Sequence, residues 1–368
     1  MSTSTNTKPK YVQIGEDIRG KILTGEYASG ERIPTEMEFQ NLYGVSRHTV
    51  RQAITQLAGD GYLRSEKGSG TYVSDEYTQK TKSTSQNAQK KIGIITTYFS
   101  EYIFPSIIRG VEHVVSAEGY SLSIASTQNT FRLEKQALEN MLLSGIDGLI
   151  VEPTQSSKLN PNISYYMQLK EMDIPFLMIN AFYEELETPS LRLDDELSGY
   201  LATKYLIDHG HKEIGIISKT DDLQGKYRLR GYLKAISENR LPYRHELTLY
   251  YNTAAKKALF LRLTDYLSEY RDKLTALVCY NDEIALIVIN VCNNLGIRIP
   301  EDLSIIGQDN SKIMRNIGLN LTTLSHPQEQ MGEDAAHWIM NKVKNKKSEK
   351  PLSLYEPAVI EGDSVRNL

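Results

Sequence analysis

GVSRHTVRQAITQLAGDGYLRSEKGSGTYV, residues 44–73, decides the N-terminal fold. Ser46 is placed to cap a helix, since its hydroxyl can accept from an N–H that the first turn leaves unpaired. Beyond it Val50, Ala53, Ile54 and Leu57 recur at i, i+3, i+4 and i+7, the apolar stripe of an amphipathic helix. Arg47, His48, Arg51 and Gln52 fall on the other face. Just upstream, Thr35-Glu36-Met37-Glu38 has capping-box spacing, with Phe39 and Leu42 as the apolar side of a shorter helix. Two helices joined by Tyr43-Gly44-Val45 read as a helix-turn-helix. Tyr62-Leu63-Arg64 and Thr71-Tyr72-Val73 read as short strands around the glycine-dependent turn Lys67-Gly68-Ser69-Gly70, which adds a wing. Tyr11–Leu23, with Ile14, Ile18 and Ile22 on one side, closes the three-helix core.

Across residues 11–73 the wording IPTEMEFQNLYGVSRHTVRQAI, then L, DGYL and GSGTYV, resembles the GntR family of bacterial repressors. The resemblance implies that Arg47, Thr49 and Arg51 contact operator DNA and that the wing turn, Lys67 and Gly68, lies against the groove. Arginine suits the task, because its guanidinium pairs bidentately with guanine or clamps a phosphate. Glu36, Ser46, His48 and Gln52, with Ser69 and Gly70 of the wing, complete the candidate DNA face. Met37 stands where some members carry arginine, which implies fewer phosphate contacts or a different half-site. The plain alternative is a small amphipathic bundle with a solvated arginine face.

The chain has 368 residues, enough for two or three domains. Its 42 Lys and Arg against 46 Asp and Glu announce no nucleic-acid partner in bulk, and residues 1–73 hold nine against eight. The positive potential must therefore be local to one face. Cys279 and Cys292 lie in apolar stretches without metal-ligand spacing, and read as buried thiols of a reducing compartment. The N-terminus has no apolar signal-like core and no run of eighteen apolar residues occurs, so a cytoplasmic protein away from membranes is expected. Asp75–Lys91, nearly free of apolar residues, reads as a flexible linker between residues 1–74 and 92–368.

From Ile92 onward short apolar strands alternate with amphipathic helices. The strands are Ile92–Ile95, Leu122–Ala125, Gly148–Val151, Phe176–Ile179, Ile214–Ile217, Leu247–Tyr250, Leu277–Tyr280 and Leu303–Ile306. The helices are Ile107–Val115, Leu133–Leu143, Leu197–Ile207, Tyr227–Ile236, Ala258–Leu267 and Ile284–Leu295. Such alternation predicts an α/β fold of two doubly wound parallel-sheet subdomains with a cleft between them. The expected division is 92–185 with 311–327, and 186–310 with 328–362.

FPSIIRG, SGIDGLIVEP, DDELSGYLATKYLIDHGHKEIGII, YRLRGYLKA, YNDEIAL, GIRIPEDLSIIGQDN and LTTLSHPQEQMG resemble LacI/GalR-type regulators, which share the fold of periplasmic sugar-binding proteins. A GntR-type head on such a sensor, together with TTYFSEYIFPSIIRG and CYNDEIAL, is similar to the arabinose-responsive repressors of Gram-positive bacteria. The resemblance implies L-arabinose as effector, with another sugar or a purine as the alternative. The hinge-helix pattern that LacI-type repressors carry after their DNA-reading domain is missing here. Residues 75–91 take its place, so coupling must run through the linker or through the spacing of two heads in a dimer.

A sugar needs polar side chains that each grip two hydroxyls, and an apolar wall for its C–H face. Such groups belong at the carboxyl ends of parallel strands. Glu152, Asn180, Asn281 and Asp309 end four apolar runs, His326 follows TTL, and Arg228 matches the ligand arginine of the resembled sensors. Tyr98, Tyr102 and Phe104, after the first strand, are candidates for the wall. Each has a structural alternative: an ion pair for Arg228, a helix cap for Asn281, strand-end or turn positions for Glu152, Asn180 and Asp309, and packing for His326 and the aromatics. Asn310 departs from the paired aspartates common at this point. Asp194-Asp195 and His209-Gly210-His211 carry the ordinary wording of the fold, and no metal site is expected. The C-terminal wording lacks a domain with a Schiff-base lysine, so neither catalysis nor a cofactor is expected. The reading is a homodimeric, sugar-responsive repressor of double-stranded operator DNA.

Overall fold

The structure is a computed structural model and describes residues 9–66, 68–74, 90–316, 318–344 and 354–368. Most of the expected linker, residues 75–89, and Lys67 of the wing lie outside the described residues. The chain divides into two compact units. The first is Met1–Lys91 with Lys135–Asp147 and Asn162–Pro175; the second is Ile92–Glu134 with Gly148–Pro161 and Phe176–Leu368. Lys135–Asp147 and Asn162–Pro175 were expected with the sensor. They join the first unit because Arg19 pairs with Glu139 at 3.4 Å, and the Tyr165 hydroxyl donates to the same carboxylate at 2.8 Å.

The N-terminal head is a three-helix winged fold: α1 (Lys10–Leu23), α2 (Glu36–Tyr43), α3 (Arg47–Gly59), β1 (Leu63–Glu66) and β2 (Gly70–Val73). Ile14, Ile18 and Ile22 of α1 are buried, as are Phe39 of α2 and Val50, Ala53, Ile54 and Leu57 of α3. The capping box forms both of its bonds, Glu38 N–H to Thr35 Oγ1 and Thr35 N–H to Glu38 Oε2. Leu42, expected on the apolar side of α2, is instead 61% exposed. In an eight-residue helix Phe39 alone fills the contact, and Tyr43 turns its hydroxyl to Asp17 at 2.6 Å. The wing pairs antiparallel from Leu63↔Val73 to Glu66↔Gly70. Gly70 has φ +134°, and a Cβ there would meet the Arg32 guanidinium at 2.7 Å.

The second unit carries two parallel sheets. The first has the order β13-β7-β6-β5-β3-β4, from β3 (Lys91–Thr96), β4 (Ser121–Ser126), β5 (Gly148–Val151), β6 (Phe176–Ile179), β7 (Ser190–Leu193) and β13 (Leu354–Tyr355). Its core packs β3, β5 and β6 against α4 (Phe104–Ala117) and α11 (Gln328–Val343). Between them in the chain come α5 (Phe131–Leu143) and α6 (Ile163–Glu171). The second sheet has the order β11-β10-β8-β9, from β8 (Ile214–Lys219), β9 (Thr248–Tyr251), β10 (Ala276–Val278) and β11 (Ser304–Ile306). One face carries α7 (Asp195–Asp208) and α8 (Leu223–Glu238); the other carries α9 (Leu259–Tyr270) and α10 (Asp282–Leu295). Ile214 and Ile216 face the first of these cores and Ile217 the second. Burial on both faces is why these strands read as unbroken apolar runs.

The structure corrects the division into lobes. Helix α11, expected with the second lobe, packs in the first: Met331, Ala335 and Ile339 lie among Ile107, Val111 and Ile150. Strands β7 and β13 also extend the first sheet. Conversely Leu321 and Leu324, expected in the first lobe, pack in the second, where β12 (Thr323–Leu324) pairs antiparallel with β14 (Val359–Ile360). The physical reason is close helix approach: a Cβ on Gly110 would lie 2.1 Å from the Glu329 carbonyl, and one on Gly332 would lie 2.1 Å from that of Ile107. Helices α4 and α11 thus meet backbone to backbone, a contact that sequence separation hides. Gly332→Ala is expected to destabilise the protein by ~1–3 kcal/mol, read as a lower urea midpoint with unchanged m-value.

Candidate functional site

In each sheet the first strand lies inside, β3 between β4 and β5, and β8 between β9 and β10. The chain winds outward on both sides of such a strand, which opens a crevice at its carboxyl end. The two crevices share one cavity of ≈ 90 Å³, lined from β3 onward by Thr97, Tyr98, Tyr102 and Phe104, and from β8 onward by Lys219, Asp222 and Arg228.

Arg228, in the second turn of α8, is 5% exposed. Its Nε donates to Asp195 at 2.8 Å, Nη1 to the Tyr280 carbonyl at 2.6 Å and Nη2 to Asp309 Oδ1 at 3.1 Å. Its guanidinium also lies over the Tyr280 ring, 5.2 Å from the centroid. Burial opposes the charge, but Asp309 and Asp195 outweigh it and hold Arg228 firmly cationic. Asp309 is itself at φ +92°, Tyr102 at φ +60° and Asn180 at φ +63°. Non-glycine residues held at positive φ cost backbone energy and tend to gather where ligands are clamped.

The Glu152 carboxylate accepts from the Thr97 amide at 2.8 Å, from the Thr97 hydroxyl at 2.6 Å and from Asn180 Nδ2 at 3.0 Å. Burial nevertheless raises its pKa. Asn180 does not line the cavity; it stands behind the wall, between Glu152 and His326 Nε2, 3.2 Å from its amide oxygen. It was expected as a contact residue, but its amide is engaged by Glu152 and His326 and the cavity lining does not include it. Burial lowers the pKa of His326, and its Nδ1 is buried without a hydrogen-bond partner while the residue lines the cavity.

Tyr98 and Phe104 lie with ring centroids 6.0 Å apart and planes tilted by 52° on the first-lobe wall. Tyr102 lines the cavity beside them, and its hydroxyl also donates to Asp309 Oδ2 at 2.6 Å. Asn281 lines the cavity but also caps α10, its amide oxygen accepting from the Ile284 N–H at 3.0 Å.

Lys219, Asp222, Tyr280, Asn129 and Thr253 line the cavity as well, and sequence reasoning missed them. Lys219 Nζ donates to Asp222 Oδ2 at 2.7 Å, and the Tyr280 hydroxyl donates to the same oxygen at 2.7 Å. Burial works against the Lys219 charge, and Asp222 and Asp221 overcome it and raise its pKa. The signal was a lysine ending an otherwise apolar strand, IGIISK, two residues before an aspartate pair.

In the head, Ser46 caps α3 through the Thr49 N–H at 3.3 Å, and the two hydroxyls lie 2.9 Å apart. Glu36 grips both exposed arginines of α3: Arg47 Nε donates at 2.7 Å, and Arg51 Nε and Nη2 each donate at 2.9 Å. The bonds from Arg51 and Arg47 hold its carboxyl down to about 2. Arg47 and Arg51 remain exposed. His48 and Gln52 share the outer face of α3 with Arg51. In the wing the Ser69 and Tyr72 hydroxyls lie 2.6 Å apart, Gly68 has φ +82°, and the exposed Arg64 lies over the Tyr72 ring. Arg64 adds a cation to the wing that sequence reasoning did not single out.

Of the histidine pair, His209 Nδ1 is 2.8 Å from the Tyr205 carbonyl. His211 is fully buried, with Nδ1 3.1 Å from the Thr275 hydroxyl and Nε2 3.2 Å from the Arg366 carbonyl. Asp194 caps α7 at Leu197 N–H.

Residues 10–73 match the family described as bacterial regulatory proteins of the gntR family, and residues 203–365 match the periplasmic binding protein-like domain. An arabinose metabolism transcriptional repressor of Geobacillus stearothermophilus is 40% identical over 98% of this chain and 99% of its own. One of Halalkalibacterium halodurans is 42% identical over 95% of each chain. The crystal structure of the transcription regulator CcpA of Lactococcus lactis superposes with a TM-score of 0.67 at 24% identity, over 76% of this chain and 100% of that one.

Burial pushes the His211 pKa down to about 4 from an ordinary 6.5. Between those values the unfolded chain binds a proton that the folded chain refuses, so stability falls as pH drops from 6.5 to 4, by up to about 3 kcal/mol. Melting temperatures across this range are expected to fall less steeply for His211→Gln than for the wild type.

Proposed function

This chain belongs to the family of arabinose metabolism transcriptional repressors, and on that premise we propose that it binds operator DNA as a homodimer and is released by L-arabinose, controlling arabinose-utilisation genes. The observation that carries the effector half is the small cavity whose polar groups already have fixed orientations. Arg228, Asp309 and Glu152 each have at least one hydrogen bond to protein, so their remaining donors and acceptors point in set directions. A rigid, uncharged ring of hydroxyls suits such a site, since the cavity's buried cations are already balanced by carboxylates.

The operator half rests on α3. Two exposed arginines one turn apart, both anchored on Glu36, suit bidentate reading of guanine edges or phosphate clamping in a major groove. Two such heads related by a dimer axis would read a pseudo-palindrome. Effector binding changes DNA affinity only by the difference in its affinity for the two states, typically about 1–3 kcal/mol of coupling.

L-arabinose at about a hundred times its dissociation constant is expected to add ~2.7 kcal/mol of stability, several degrees in Tm, where other pentoses, hexoses, sugar phosphates and purines do not. A response to a different compound alone sinks the arabinose assignment. Arg51→Ala is expected to cost operator affinity ~1–3 kcal/mol while the sugar-induced shift survives. Arg228→Ala does the reverse, leaving a repressor that holds DNA in the presence of sugar; normal release by that variant overturns the placement of the site.

A further inference from the structure

Tyr102 joins two things that the rest of its loop keeps apart. Its ring packs against the first-lobe core, beside Ile103 and Phe104. Its hydroxyl reaches the second lobe, donating to Asp309 Oδ2 at 2.6 Å with the Gln308 carbonyl 3.0 Å away, and accepting from the Asp282 N–H at 3.2 Å. Asp282 opens α10, and Gln308 and Asp309 follow β11, so all three partners belong to the second lobe.

The backbone adds an independent observation. Tyr102 sits at φ +60°, a region that a bulky L-residue enters only when its surroundings compel it. The carboxylate it grips, Asp309, is held from the opposite side by Arg228 and is itself at φ +92°. Two strained residues thus meet at one 2.6 Å bond across the cleft. Elsewhere the lobes touch through bonds such as Asn129 Nδ2 to Thr253 Oγ1 at 2.6 Å and Ser157 Oγ to the Thr220 carbonyl at 2.9 Å. The Tyr102 bond ends on the Asp309 carboxylate, a group proposed to bind effector, and Gln328 of α11 reaches the carbonyl of the same residue at 2.7 Å.

We infer that Tyr102 is a positioning residue: its hydroxyl is a strut that fixes the Asp309 carboxylate and holds the lobes together around the effector, without reading a sugar hydroxyl itself. This rests on the sugar-sensing reading above for its consequence but not for its geometry. With its one hydroxyl proton donated to Asp309 and a lone pair accepting from the Asp282 N–H, the phenol has no donor left for a ligand. Asp309, by contrast, carries two oxygens with room for further donors.

The test is Tyr102→Phe in the full chain, which keeps the ring and removes the strut. Without ligand, amide hydrogen exchange of the peptides covering Asp282 and residues 100–104 is expected to quicken relative to wild type. By calorimetry, affinity for L-arabinose is expected to fall about tenfold or more, as for loss of a hydrogen bond to a charged group. Each monodeoxy analogue of L-arabinose is expected to lose the same factor. A loss that vanishes for one analogue alone would show direct reading of that hydroxyl and overturn the strut, as would unchanged exchange. If wild type fails to bind L-arabinose, the effector assignment falls, and the exchange comparison still decides the strut.

Discussion

The guanidinium of Arg228 is the charge around which the sensor is built. A cation buried this deeply forfeits its hydration, and one missing partner would leave it among the costliest groups in the fold. Three elements supply partners: α7 through Asp195, the turn after β10 through the Tyr280 carbonyl, and the turn after β11 through Asp309. Each partner is fixed in its own way. Asp195 follows the helix-capping Asp194, Tyr280 is tied to Asp222, and Asp309 is gripped by Tyr102. The carboxyl ends of the second sheet therefore cannot move independently. Small shifts in one are felt by all, the condition under which a ligand can favour one discrete arrangement over another.

Close helix packing makes that rigidity possible. A Cβ on Gly199 of α7 would stand 2.0 Å from the Arg228 carbonyl, and one on Gly231 of α8 the same distance from that of Glu196. The first lobe repeats the device with Gly110 and Gly332. In both lobes a pair of glycines lets two helices touch backbone to backbone. In the second lobe this sets where Arg228 can reach. The head uses a different economy: Glu36 gathers two arginines on the surface, where water screens the pairing and leaves the cations available to a polyanion.

Much of the chain was legible before any coordinates. The capping box at Thr35, the stripe from Val50 to Leu57 and the cap at Ser46 are local patterns, and local hydrogen bonds realise them. The eight apolar runs of the sensor each became a strand, the inner ones buried on both faces of a parallel sheet and β4 and β9 part-exposed at the edges. The elements that escaped were those whose signal is short or borrowed from afar. β12, β13 and β14 are two residues each, too short for any period, and β7 pairs between neighbours that only the fold supplies. α11 carries a clear stripe at Met331, Ala335 and Ile339, yet nothing within its own sequence says which lobe receives it.

The candidate site divides in the same way. Arg228, Asp309, Glu152 and His326 stood out as polar residues at the ends or edges of apolar segments, and they line one cavity. Lys219 and Asp222 did not, because a lysine closing a strand is normally solvated and only burial beneath Tyr280 makes it part of the wall. By itself the sequence determined what depends on neighbours in the chain: the helices and their caps, the strands, the two kinds of domain and the polar residues at strand ends. Tertiary structure alone decided which lobe owns the C-terminal helix, that Asn180 supports rather than lines the cavity, and that Tyr102 spends its hydroxyl on Asp309. Those outcomes depend on which surfaces meet across a hundred residues or more, and no local pattern of side chains records that.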